Sequence, residues 1–219
     1  MQAISDMSPA MREHTVKKAV APLQLIFWGG LLLIFDFNLF WLEGASGFKL
    51  DLLNDVLATI LIAVGVSRLS ALPVHDGYAS MMRFVKVVSV LGVLDAFRDQ
   101  FIRPWPLIFY LGLSVFGLFT LAAMVVFCIA MRRFCENANL PDASRSWSTT
   151  TTLFVVIYLL PLGPLYVITV LTTIAGTSFD LNIGAAMLLV LPIFAIPLIH
   201  LFISTSRMKR AAEAVVGVY

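Results

Sequence analysis

Apolar residues in this chain come in long unbroken runs, not in the short alternations or single helical stripes of a soluble fold. Five runs, at about residues 22–42, 50–69, 106–131, 151–175 and 181–204, each approach the ~20 helical residues needed to cross a ~30 Å hydrocarbon layer. A sixth segment, 83–102, is interrupted by Lys86, Asp95, Arg98 and Asp99, and its amphipathic period also suits a helix lying in the membrane interface. The pattern predicts an all-α, polytopic transmembrane bundle.

Charge placement chooses between five and six crossings. With six spans and the N-terminus inside, the cytoplasmic segments hold Arg12, Lys17 and Lys18, then Arg68, Arg83 and Lys86, then Arg132, Arg133 and Arg145, and finally Arg207, Lys209 and Arg210. These are twelve of the fifteen basic residues. If 83–102 did not cross, the split would be eight inside against seven outside. The positive-inside rule therefore predicts six spans, with both termini and a 132–147 loop in the cytoplasm.

Composition agrees. Hydrophobic residues make up 60% of the 219 and charged residues 13%, against ~25% charged in a soluble domain. The length suits one transmembrane domain, 1–219, whose first partner is the lipid bilayer. A net charge of +2 gives no basic field for nucleic acid. Cys128 and Cys135 are seven apart, match no metal spacing, and read as inert reduced thiols. Residues 22–42 exceed the ~7–15 residues of a signal-peptide core and read as a retained helix.

Polar residues inside the runs are the candidates for chemistry. On the six-span reading Asp36 lies about six residues, roughly 9 Å, from the outer end of the first span. Asp55 enters the second span, and Asp95 the third, at similar depths. Asn38 and Asn54 lie near that level, Asp51 and Asp55 would share a helix face, and Arg98 and Asp99 follow Asp95 within a turn. Arg98 can pair with Asp95, and Arg103 with Asp99. Charge inside a bilayer must pair or face water. Three readings stay open: a polar network locking three helices, a cation or proton pathway, and snorkelling to the interface. The ligand types carry no dedicated metal-loop spacing, and no cofactor is specified.

Proline marks the last two spans, at Pro161, Gly163 and Pro164 and at Pro192 and Pro197. Helix breaks there would expose backbone groups, as in many transporters, although proline also serves packing. Thr149 to Thr152 read as the start of the fifth helix, and His200, the one histidine inside a span, as an interfacial or helix-packing residue near the end of the sixth. Gly29, Gly30, Gly112 and Gly117 are the expected close-packing positions. Catalytic signatures such as HExxH or GxSxG are missing, so enzyme activity has no support in the sequence.

The stretches Ile34-Phe35-Asp36-Phe37-Asn38, Leu50-Asp51-Leu52-Leu53-Asn54-Asp55 and Gly65-Val66-Ser67-Arg68-Leu69 resemble uncharacterised bacterial polytopic membrane proteins. Those carry an apolar-Asp-Leu-Leu-Pro-Asp segment where this chain has Asn54 in place of Pro, and the resemblance covers about the first 70 residues. It implies a bacterial inner membrane and singles out Asp36, Asp51 and Asp55, without naming an activity. Two function classes follow from the sequence. One is a small ion, proton or solute transporter or channel using the outer carboxylates. The other is a non-catalytic accessory subunit, assembled as a homo-oligomer or within a membrane complex.

Overall fold

In the computed structural model, which describes residues 9–34, 38–43, 46–51, 55–102, 106–177 and 187–216, the body of the chain is helical. The helices are α1 (Pro9–Ile34), α2 (Asp55–Ser70), α3 (Asp76–Asp99), α4 (Leu107–Asn137), α5 (Pro141–Phe154), α6 (Leu160–Ile174) and α7 (Met187–Val216). A single π-helical turn, Val155–Leu159, joins α5 to α6 without a break. Each of α1 to α4 packs on the next helix, α4 packs on α5 and α6, α5 packs on α7, and α7 returns to α1. The result is a closed ring.

Short turns gather at one end of the ring. The α2–α3 turn is tied by the Tyr78 hydroxyl, which donates to Leu69 O at 3.0 Å; burial pushes this phenol's pKa up. His75 caps α3 by accepting the Gly77 N–H at 3.1 Å. At the α4–α5 turn Asn139 takes φ of 55°, the Asn139 N–H reaches Glu136 O, and the Leu140 N–H reaches Cys135 O. This is a Schellman ending with asparagine in glycine's usual place, followed by Pro141 at the first position of α5. The opposite end carries a small antiparallel sheet, with β1 (Asn38–Glu43) paired to β2 (Ser46–Asp51) and β2 to β3 (Phe101–Ile102). It ties the α1–α2 connection to the α3–α4 connection.

Several expected boundaries move. The first span was expected to run to residue 42, but α1 ends at Ile34 and residues 38–42 are strand. Asp51 lies in β2 and Asp55 opens α2, so the two share no helix face. Residues 101–102, expected to close the third span, are strand. The expected 132–147 loop shrinks to the turn at 138–140, because α4 runs on to Asn137 and α5 starts at Pro141. Hydropathy reports where apolar residues stop, whereas a helix continues through polar residues until a cap ends it. Thr149 to Thr152 accordingly lie within α5, and all four hydroxyls donate to carbonyls one turn back. The last helix, α7, runs on to Val216, with Met208 and Ala212 buried in the core.

Burial concentrates at the turn end, where Val16, Leu69, Met82, Met131, Phe134, Trp147 and Met208 are all at most 1% exposed. The outside of the ring is apolar: Ile108, Ile174, Leu94, Leu160 and Leu171 are 60–71% exposed. Among the described residues three helices are long and apolar enough to cross a membrane, Glu13–Ile34, Leu107–Asn137 and Pro141–Ile174. In the last of these only 11% of the most apolar window is buried within the chain. A surface of that kind is compatible with lipid.

Close approach of α1 and α2 rests on two glycines. A Cβ at Gly29 would stand 2.6 Å from Ala58 O, and one at Gly65 would stand 2.6 Å from Pro22 O. Gly30 faces Leu198 and Gly117 lies against the Tyr166 ring, as expected of packing positions. Gly112 is the exception, with open space around it.

Candidate functional site: a cavity inside the helical ring

The ring surrounds a cavity of about 490 Å³, partly open to the outside, to which every helix contributes a wall. Ile26 and Gly30 come from α1, Thr59 and Ile62 from α2, Val88 and Gly92 from α3, Thr120 and Met124 from α4, Phe154 and Leu162 from α5 and α6, and Phe194 and Leu198 from α7. Tyr158 enters from the π turn. The volume falls within the ~300–1,000 Å³ of small-molecule sites, and the lining includes no Asp, Glu, His, Lys or Arg.

Its few polar groups are already engaged. The Thr59 hydroxyl donates to Asp55 O at 2.8 Å, Ser89 to Lys86 O at 2.9 Å, and Thr120 to Phe116 O at 3.1 Å. The Tyr158 hydroxyl crosses the bundle to Phe194 O at 2.7 Å. With their protons committed to backbone carbonyls, these hydroxyls offer a guest only lone pairs. An apolar body, with at most a hydrogen-bond donor at one end, matches such a wall.

The irregular backbone lies at this cavity. Pro161 has no N–H and its ring crowds the carbonyl four residues back, so the helix widens just before it. Leu160 N–H then bonds Val155 O, five residues away. The expected break at Pro161, Gly163 and Pro164 thus takes the form of one wide turn, and α6 continues through Pro164. Likewise α7 continues through Pro192 and Pro197. Tyr158 sits in the wide turn, packs edge-on against Phe194 with ring centres 4.9 Å apart, and bonds that residue's carbonyl three residues before Pro197. The two proline-bearing regions therefore meet through one side chain.

A buried polar seam joins α5 to α7. Ser146 Oγ lies 2.8 Å from Ser204 Oγ, Thr150 Oγ1 lies 2.8 Å from Ser204 Oγ, and His200 Nδ1 lies 2.9 Å from Thr150 Oγ1. Thr150 and Ser204 are fully buried. His200 thus serves helix packing, one of the two roles expected of it, by bonding α7 to α5. Sequence reading missed this seam, although its signal was present: Ser146 and Thr150, and His200 and Ser204, are each spaced by four and so face one way. Replacing Thr150 with valine keeps the shape but takes one hydrogen bond from each of Ser204 and His200, and should cost about 1–2 kcal/mol of stability, while Thr150→Ser costs much less. Thermal unfolding of the two variants in one detergent compares them directly. The neighbouring Trp147 indole N–H is buried with no acceptor among the described residues, and its ring packs edge-on against cavity-lining Phe127.

The carboxylates named from sequence fall elsewhere. Asp36 and Asn54 lie outside the described residues, as does Arg103. Asn38 and Asp51 are register partners across β1 and β2. Asp55 opens α2, where the helix N-terminus favours a negative charge, rather than standing a turn inside a span. Asp95 pairs with Arg98 at 3.0 Å, as the spacing suggested, and Arg98 also reaches Asp99 at 3.6 Å. Among the described residues no three His, Cys, Asp or Glu side chains are grouped to share an ion. No protein-family model, curated protein or solved structure gives a significant match to this chain.

Proposed function

We propose that this chain is a polytopic inner-membrane protein of six crossing helices, with both termini cytoplasmic, that binds and passes a small apolar or amphiphilic solute through its central cavity. The observation that carries the reading is a cavity walled by all the helices whose lining has no carboxylate, histidine or cationic side chain and whose hydroxyl protons are occupied. An ion or proton would find no fixed charge there to replace its hydration, and an empty apolar space of this size favours an apolar guest. The proline-bearing helices that border it supply segments able to change shape, a feature shared with many carriers. Partition of the basic residues supports the orientation.

Two experiments test the halves of this proposal. Single cysteines placed at Ser46 and at Asn139 should differ in reach: an impermeant thiol reagent added outside cells labels the first and not the second. Cys128 and Cys135 are buried and should stay silent. Labelling at 139 but not at 46 would invert the topology. For the cavity, a long-chain alcohol bearing a diazirine, photolysed with the protein in membranes, should label peptides carrying Val88, Met124 and Tyr158. Label confined to outward residues such as Ile108 and Leu171 would leave the accessory-subunit reading.

A further inference from the structure

A second, shallower hollow of about 430 Å³ runs along the outside of α2. Its floor is the stripe Ile60, Val64, Ser67 and Ala71, its far edge is Val93 of α3, and at the turn end it carries Arg68. Ile60 and Val64 are 40% and 36% exposed, and Arg68 is exposed. The eight helical steps from Ile60 to Arg68 span roughly 12 Å, so an apolar track leads to one cation. Arg98, Arg132 and Arg145 each have a carboxylate on their own helix. Arg68 has no such partner among the described residues. Lys86, also exposed, stands seven residues before Val93 and so on the same face of α3.

We infer that this hollow is a binding site for one anionic phospholipid of the cytoplasmic leaflet, its phosphate held by Arg68 and an acyl chain lying on the Ile60–Val64 track. Charge complementarity selects the occupant. A zwitterionic lipid would bring its own cation to a site that already has one, whereas an anionic headgroup supplies the missing partner where the basic side of the protein meets the leaflet. A planar guanidinium suits the phosphate by paired N–H donors. The site depends on the membrane orientation proposed above and not on the central cavity.

Thermal unfolding of the purified full chain in detergent tests it, with added phosphatidylglycerol compared against phosphatidylcholine of the same acyl chains. Phosphatidylglycerol should raise Tm more than phosphatidylcholine does, and Arg68→Gln should reduce that excess to within scatter. Arg68→Lys should retain part of it, and Val64→Trp, which fills the track and leaves the cation, should also remove it. Gly92→Leu, inside the ring, should leave the excess intact, so failure of the solute reading does not imitate failure here. Equal shifts from the two lipids, an excess that survives Arg68→Gln, or the same shift from inorganic phosphate alone would overturn the inference. Were Arg68 only compensating the α2 C-terminus, Arg68→Gln would lower Tm equally in both lipids, and that too would overturn it.

Discussion

Replacing Gly65 with valine should be among the most damaging single changes in this protein. The new Cβ would meet Pro22 O at 2.6 Å and the Ile26 side chain at 2.7 Å. A flexible side chain can turn away, but a backbone carbonyl moves only with its helix. Overpacking a core typically costs about 1–3 kcal/mol, and a clash with backbone belongs at or above the top of that range. Gly29→Val should behave alike, because it strikes Ala58 O from the other helix. Gly112→Val is the control: it meets open space, so its unfolding temperature should stay near that of the parent. If the three variants unfold together, the close contact of α1 with α2 is not what holds the ring.

Such packing was partly legible in the sequence. Glycines in apolar helices pointed to close approach, and Gly29, Gly30 and Gly117 do meet a neighbour. Gly65 was not singled out, because one sequence cannot say which face of α2 turns toward α1. Spans were legible as apolar runs, yet their ends were not. Asn38 to Leu42 continue the apolar run of α1 in composition but pair as a strand with β2, a long-range choice that local pattern does not encode. Residues 132–147 looked like a loop because they are polar, and only the Asn139 cap and Pro141 show how two helices share them.

The candidate site was harder to read for a different reason. Sequence reasoning follows costly residues, so it settled on Asp36, Asp55 and Asp95, whose charges demand an explanation. The cavity is built from residues that demand none: Ile, Val, Phe, Met and hydroxyls bonded to their own helices. An internal space is a property of the closed ring and has no signature in any one helix. Proline was the useful clue, since Pro161 and Pro197 stand on the two segments that Tyr158 joins beside the cavity.

Gly92 provides the sharpest probe of the solute reading. It lines the cavity, and a Cβ added there meets nothing within 4 Å. Leucine at this position should project into the space without displacing a neighbour, and by helix propensity alone it favours α3 by just under 1 kcal/mol. The protein should therefore fold as well as the parent or better, which separates loss of binding from loss of structure. The measurement is photolabelling of parent and Gly92→Leu protein by the diazirine-bearing alcohol, at matched levels in the same membranes and alongside their unfolding temperatures. The account predicts unchanged or raised stability, with labelling of the Val88, Met124 and Tyr158 peptides reduced at least about tenfold, the loss expected when ~1.4 kcal/mol or more of binding is removed. Equal labelling of those peptides in the two proteins, at equal stability, would contradict it.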